Sequence, residues 1–144
     1  VGAGSRSKRW PLERWQALTD RLREGPARDR AGFSPPAITV VAGEVEAEQF
    51  DRSERSLFER LKGCFIFDLP SLAALLRSAV LVVGNDSGPT HLAAQLGVRT
   101  VALFGPTDPH RWAPIGPWTT VVAPASLEPM TWLSAELVAD TIRA

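Results

Sequence analysis

The chain has 144 residues, 44% of them hydrophobic, which suffices for one domain with one core and is too little for two domains and a linker. Sixteen basic and sixteen acidic side chains cancel to a formal net charge of zero, which excludes the strongly basic balance of a nucleic-acid binder. The single cysteine, Cys64, excludes an intrachain disulfide and fits a reducing compartment.

Pro11 suits a first helical turn, and Leu12, Trp15, Leu18 and Leu22 recur at helical spacing, with Gly25 just past the end. Residues 28–36 are charged and then proline-rich, a loop, after which the β-branched run 37–42, bounded by Gly43, reads as a buried strand. Phe50, Leu57, Phe58 and Leu61 mark one face of a second helix beginning near Val45, and residues 64–67 form a second strand in which Cys64 is expected to be buried. Ser71 is the expected N-cap of a third helix carrying Leu72, Leu75, Leu76 and Ala79, followed by an apolar strand at 80–83.

After Gly84, residues 90–96 read as a short helix of small residues closed by Gly97, and 100–104 as another buried strand. Residues 105–117 hold four prolines and read as an ordered loop; 119–122 reads as an edge strand; Leu133, Leu137, Val138, Thr141 and Ile142 mark a final helix. Strands alternating with helices imply a Rossmann-like α/β domain, a parallel sheet with helices on both faces. Val1-Gly2-Ala3-Gly4 looks like the turn after a first strand, so the chain is expected to begin inside a βα unit of a larger protein. No apolar stretch reaches the roughly 18–20 residues that span a bilayer, and residues 1–11 lack a secretory signal, so a cytoplasmic location is expected.

In such a sheet ligands bind at the carboxyl ends of the strands, so chemistry belongs in the loops that follow them. Gly84-Asn85-Asp86-Ser87-Gly88-Pro89-Thr90-His91 leaves a strand and opens a helix, where backbone N–H groups and the helix dipole favour a phosphate. Gly88 admits an anion close to the backbone, the hydroxyls of Ser87 and Thr90 add donors, and His91 is either a further donor or a packed residue. Asp86 would repel phosphate, so it either caps the helix or accepts from a sugar hydroxyl or a neighbouring side chain.

A second candidate, Gly2-Ala3-Gly4-Ser5-Arg6-Ser7-Lys8-Arg9-Trp10-Pro11, places a glycine turn and three cations before a helix. It lacks the spacing of a P-loop, which disfavours nucleotide hydrolysis. A third is Gly43-Glu44-Val45-Glu46, where Glu46 either accepts from ribose hydroxyls or stabilises its own helix dipole. Trp10, Trp15 and Trp112 read as packing residues. Two histidines without companions make no metal site, and no spacing supports a Ser-His-acid triad.

The run Val83 to Gly97, followed by Thr100-Val101-Ala102-Leu103-Phe104-Gly105-Pro106-Thr107-Asp108-Pro109, resembles the lipopolysaccharide heptosyltransferases of glycosyltransferase family nine. Gly2-Ala3-Gly4 with Lys8-Arg9-Trp10-Pro11, Gly43 with Glu46, and residues 69–76 are similar to that family's carboxyl-terminal domain in the same order. The resemblance implies the donor-binding half of a two-domain GT-B enzyme, occupying all of residues 1–144, that transfers heptose from ADP-heptose to the lipopolysaccharide core with inversion and without a metal or other cofactor. It implies that Gly4, Ser5 and Lys8 meet the diphosphate, Glu46 the ribose, Asp86, Ser87, Gly88 and His91 the diphosphate and sugar, and residues 67–69 the base. The general base, the acceptor site and any peripheral association with the inner membrane would belong to the whole protein, whose amino-terminal half lies outside this sequence. Glu44 stands where the family pattern expects a proline. A nucleotide-binding module without transfer activity and a UDP-sugar epimerase-like domain are the alternatives.

Overall fold

The computed structural model describes residues 2–24 and 37–144; Gly25 and the 28–36 loop lie outside the described residues. After a single 3-10 turn at Arg6–Lys8, helix α1 (Leu12–Glu24) starts where expected, the Pro11 carbonyl accepting from the N–H groups of Arg14 and Trp15. It buries Leu12, Trp15 and Leu18. Strand β1 is only Val41–Ala42, shorter than the run 37–42 predicts.

The predicted second helix is two, α2 (Glu44–Gln49) and α3 (Arg52–Arg60). The break has a local cause. Phe50 leaves the helix in an extended conformation, and the Asp51 carboxylate then accepts from the Glu54 N–H while the Glu54 carboxylate accepts from the Asp51 N–H, each at 2.9 Å. Phe50, Leu57, Phe58 and Leu61 are nevertheless all buried, as one face predicts.

Strand β2 (Cys64–Phe65) pairs with β1 in parallel, Val41 opposite Cys64. Cys64 is exposed, against the expectation of a buried thiol. A strand of a two-stranded ladder covers only one face, and here Phe65 takes the side packed against the core. Helix α4 (Leu69–Ser78) is capped by Asp68, not Ser71; the Ser71 N–H donates to the Asp68 carboxylate at 2.7 Å, and this bond holds that carboxyl below the usual aspartate range.

Strand β3 (Val82–Asn85) begins two residues later than predicted, because Ala79 still closes α4 onto the Leu76 carbonyl and Val80 stands in solvent. Helix α5 (Gly88–Gln95), strand β4 (Thr100–Leu103) and strand β5 (Thr119–Val122) follow. The loop between the last two contains a short helix, α6 (Pro109–Trp112), capped by Asp108. Helix α7 (Ala135–Arg143) is capped by Ser134.

Every described strand pair is parallel, in two ladders: β1-β2, and β3-β4-β5 with β5 on the edge. One core joins them, uniting Val40, Ala42 and Phe58 with Val101, Leu103, Leu133 and Val138. Trp10 and Trp15 lie edge to face within it, ring centres 4.9 Å apart, whereas Trp112 is half exposed under the Arg111 guanidinium and packs against no core.

Gly97 ends α5 at φ 76°, its N–H bonded to the Ala94 carbonyl and that of Val98 to the Ala93 carbonyl, the paired bonds of a left-handed helix stop. Gly97→Ala should lower stability by about 1 kcal/mol, since a Cβ is disfavoured at that φ. Thermal denaturation should register this as a fall in Tm of roughly 3 °C.

Candidate functional site at the carboxyl ends of the strands

The three candidate loops meet at the carboxyl ends of β1 and β3. Asn85, the last residue of β3, is fully buried; its Oδ1 accepts from the Trp10 N–H at 3.1 Å and its Nδ2 donates to the Gly2 carbonyl at 3.2 Å. From the other side the Glu46 carboxylate accepts from the Ala3 N–H at 3.1 Å. The segment 2–10 is thus tied to β3 and to α2 by side chains that the spacing of the loops alone does not reveal.

This arrangement brings Lys8 and Asp86 together across 78 residues of sequence, Nζ to Oδ2 at 3.1 Å. Asp86 is nine-tenths buried and is not the cap of α5; Ser87 occupies that position, without a side-chain capping bond. The Asp86 carboxylate instead gathers neighbouring side chains. Thr107 donates to Oδ2 at 2.9 Å, and His91 Nε2 lies 3.5 Å from Oδ1. Thr107, which the sequence does not single out, enters because β4 lies beside β3 and its following loop returns over the same end. The only signal for it was its place inside the Gly105 to Pro109 run.

Ser87 and Gly88 open α5 toward this cluster. A Cβ built on Gly88 meets nothing within 4 Å, and the same holds at Gly4, so both loops present open backbone rather than packed surface. Ser5 is exposed beside Ser7, their hydroxyls 2.9 Å apart. Thr90, by contrast, is not a ligand donor: it is buried, and its hydroxyl donates to the Asn85 carbonyl at 2.7 Å. Its packing fills the space over Gly84, where a Cβ would collide with the Thr90 hydroxyl.

The remaining cations of the first loop turn away. Arg6 donates to the Gln49 carbonyl and to the Glu54 carboxylate, and Arg9 is buried against Glu46 at 3.3 Å and Gln49 at 2.6 Å. Lys8 alone of the three reaches the Asp86 cluster. Phe67 stands two-thirds exposed just beyond β2, stacked on Phe65 with ring planes 6° apart. Among the described residues, no group of three or more His, Cys, Asp or Glu side chains is placed to hold a metal ion.

An anionic group seated beside the Asp86 cluster would therefore find an ammonium, an imidazole, two hydroxyl-bearing loops and a helix N-terminus on one side of a parallel sheet. The model of glycosyltransferase family 9 (heptosyltransferase) matches residues 1–138. The chain belongs to this family. Lipopolysaccharide heptosyltransferase 1 of Pseudomonas aeruginosa is 33% identical over 103 residues, 72% of this chain and 26% of that protein. The Escherichia coli protein of the same name is 31% identical over 102 residues, 71% of this chain and 29% of its own length. The solved E. coli heptosyltransferase WaaC with ADP superposes with a TM-score of 0.76 at 25% identity, covering 99% of this chain and 41% of that one. A family 9 glycosyl transferase from Veillonella parvula shares the fold, with a TM-score of 0.74 at 23% identity over 43% of its chain. The 144 residues thus span between a quarter and somewhat over two-fifths of these relatives.

Proposed function

We propose that this chain is the donor-binding half of a heptosyltransferase that moves heptose from an ADP-sugar onto the lipopolysaccharide core, inverting the anomeric centre without a metal or other cofactor. The observation that supports it most directly is the meeting of Lys8, Asp86 and His91, on loops that also carry the open backbones of Gly4 and Gly88. An inverting transfer expels a nucleoside diphosphate, and the groups stabilising the charge that develops on it must be in place beforehand.

In this reading Lys8, with Gly4 and Ser5, holds one face of the diphosphate, and Ser87, Gly88 and the start of α5 hold the other. His91 donates to the same group. Asp86 fixes the Lys8 ammonium and takes a sugar hydroxyl on the lone pairs that remain. Phe67 offers its exposed ring to the base. The acceptor, the general base that deprotonates it and any attachment to the inner membrane of a bacterial cell belong to the remainder of the enzyme, working in the cytoplasm. Within the described residues no helix is long and apolar enough to cross a membrane.

Calorimetric titration with ADP, UDP, GDP and ADP-heptose tests the reading. Selective binding of the adenine ligands is the expected result; preference for UDP or GDP would replace the donor while keeping the site, and recovery of an altered sugar still joined to nucleotide would point to an epimerase.

A further inference from the structure

Asn85 and Asp86 are consecutive at the carboxyl end of β3, and both side chains reach across to the segment 2–10. Asp86 takes the Lys8 ammonium at 3.1 Å. Asn85 takes the backbone: its Oδ1 accepts from the Trp10 N–H at 3.1 Å, and its Nδ2 donates to the Gly2 carbonyl at 3.2 Å. One planar amide thus closes both ends of the loop. A carboxamide suits this task because it carries a donor and an acceptor side by side, whereas an ionised aspartate offers acceptors alone and a leucine, of similar shape, offers neither. Between its ends the segment has little of its own to hold it. Its regular structure is the single 3-10 turn Arg6–Lys8, which Ser5 begins without a side-chain capping bond, and residues 4–7 are exposed.

We infer that Asn85 is a positioning residue for the donor: by holding both ends of this loop it sets where the Lys8 ammonium stands. This rests on the donor-binding reading above. Asn85 is fully buried, so it acts on a ligand through the segment it holds. Lys8 lies two residues before Trp10, and its ammonium meets the residue next to Asn85. Two adjacent side chains therefore refer Lys8 to the end of β3, one through the backbone from which it springs and the other through its charge. The charge alone is a poor substitute for the backbone hold, because an ammonium on a flexible four-carbon stem follows its partner through many backbone positions. Without the amide, the Gly2 carbonyl and the Trp10 N–H lose their partner, and the segment must move to satisfy them.

The test is a double-mutant cycle of Asn85→Leu and Lys8→Ala, read by titration with ADP. Leucine keeps the shape and the neutrality of the side chain and removes both bonds. ADP affinity should fall about tenfold in Asn85→Leu, the equivalent of one hydrogen bond. Added to Lys8→Ala, the same change should lower affinity by no more than about twofold, since the group it positions is already gone. Equal losses in the two backgrounds would show a merely structural part, and no loss in either would show that the loop stays in place; each overturns the inference. The Ala3 and Lys8 amides, bonded to the Glu46 carboxylate and the Ser5 carbonyl at 3.1 Å each, give a second readout in the protein without nucleotide. Their exchange should quicken in Asn85→Leu, and unchanged protection also overturns the inference. Should Asn85→Leu not fold, Asn85→Ser, smaller and still polar, takes its place in the same cycle. In wild type, a Trp10 amide that exchanges as freely as those of the exposed Ser5 and Ser7 overturns the inference whatever the variants do. If wild type binds no ADP, the donor-binding reading fails, while the exchange measurements still decide whether Asn85 holds the loop.

Discussion

Lys8→Ala is expected to weaken ADP binding by about ten- to a hundredfold while leaving the domain folded. A hydrogen bond to a charged group contributes about 1.5–3 kcal/mol, and the Lys8 ammonium is the one cation of the first loop that reaches the Asp86 cluster. Its side chain retains 28% of its exposure, so removing it opens no cavity in the core. Titration calorimetry against ADP at two salt concentrations checks both parts. The wild-type affinity should fall as salt rises and the variant's should depend on salt less, because the screened contribution has been removed. Unchanged affinity in Lys8→Ala would place the diphosphate elsewhere on the sheet.

The same geometry explains how an acid can sit in the proposed phosphate site. By itself Asp86 would repel the ligand, but Lys8, Thr107 and His91 surround it, so its charge holds cationic and donor groups in position. Lys8→Arg is not a neutral exchange here. The planar guanidinium would demand a different approach to Oδ2, whereas an ammonium places its donors around a point.

What the sequence made legible was local. Hydrophobic spacing located α1, and Gly97 located the end of α5, because each is decided by neighbours within a turn of helix. The glycine-rich stretch after β3 could be read as a candidate anion site for the same reason, since a strand followed by small residues and a helix start needs no partner to be recognised. The break between α2 and α3 was also written locally, in Asp51 and Glu54, but the continuous apolar face of Phe50, Leu57, Phe58 and Leu61 concealed it. Cys64 was misjudged because an apolar run says nothing about which face of a short strand is covered. The joining of Lys8 to Asp86, the entry of Thr107 and the use of Glu46 and Asn85 as clamps depend on which strands become neighbours, and spacing along the chain carries no record of that. Thr90 shows the converse: its position promised a ligand donor, and the β3 carbonyl took the hydroxyl first.

Trp10→Ala should cost about 3–5 kcal/mol of stability, a large part of the roughly 5–15 kcal/mol that holds a domain folded. The side chain is 1% exposed and packs edge to face on Trp15, and its indole N–H donates to the Leu133 carbonyl at 2.9 Å just before α7. Its own backbone N–H is the donor received by Asn85, so the residue that anchors the core also ends the segment proposed to face the diphosphate. Truncation leaves a void and an unpaired carbonyl together. In urea denaturation the midpoint should move down by about 2 M, taking a dependence of about 2 kcal/mol per molar for a domain of this size. Trp10→Phe retains most of the ring and loses only the N–H, so it should cost about 1–2 kcal/mol. A Trp10→Ala midpoint within 0.5 M (roughly 1 kcal/mol) of wild type would mean that Trp15 and α7 close over the gap. If Trp10→Phe folds yet still loses ADP affinity, the indole bond to Leu133 must set where Lys8 stands, and packing and binding share one residue at this end of the sheet.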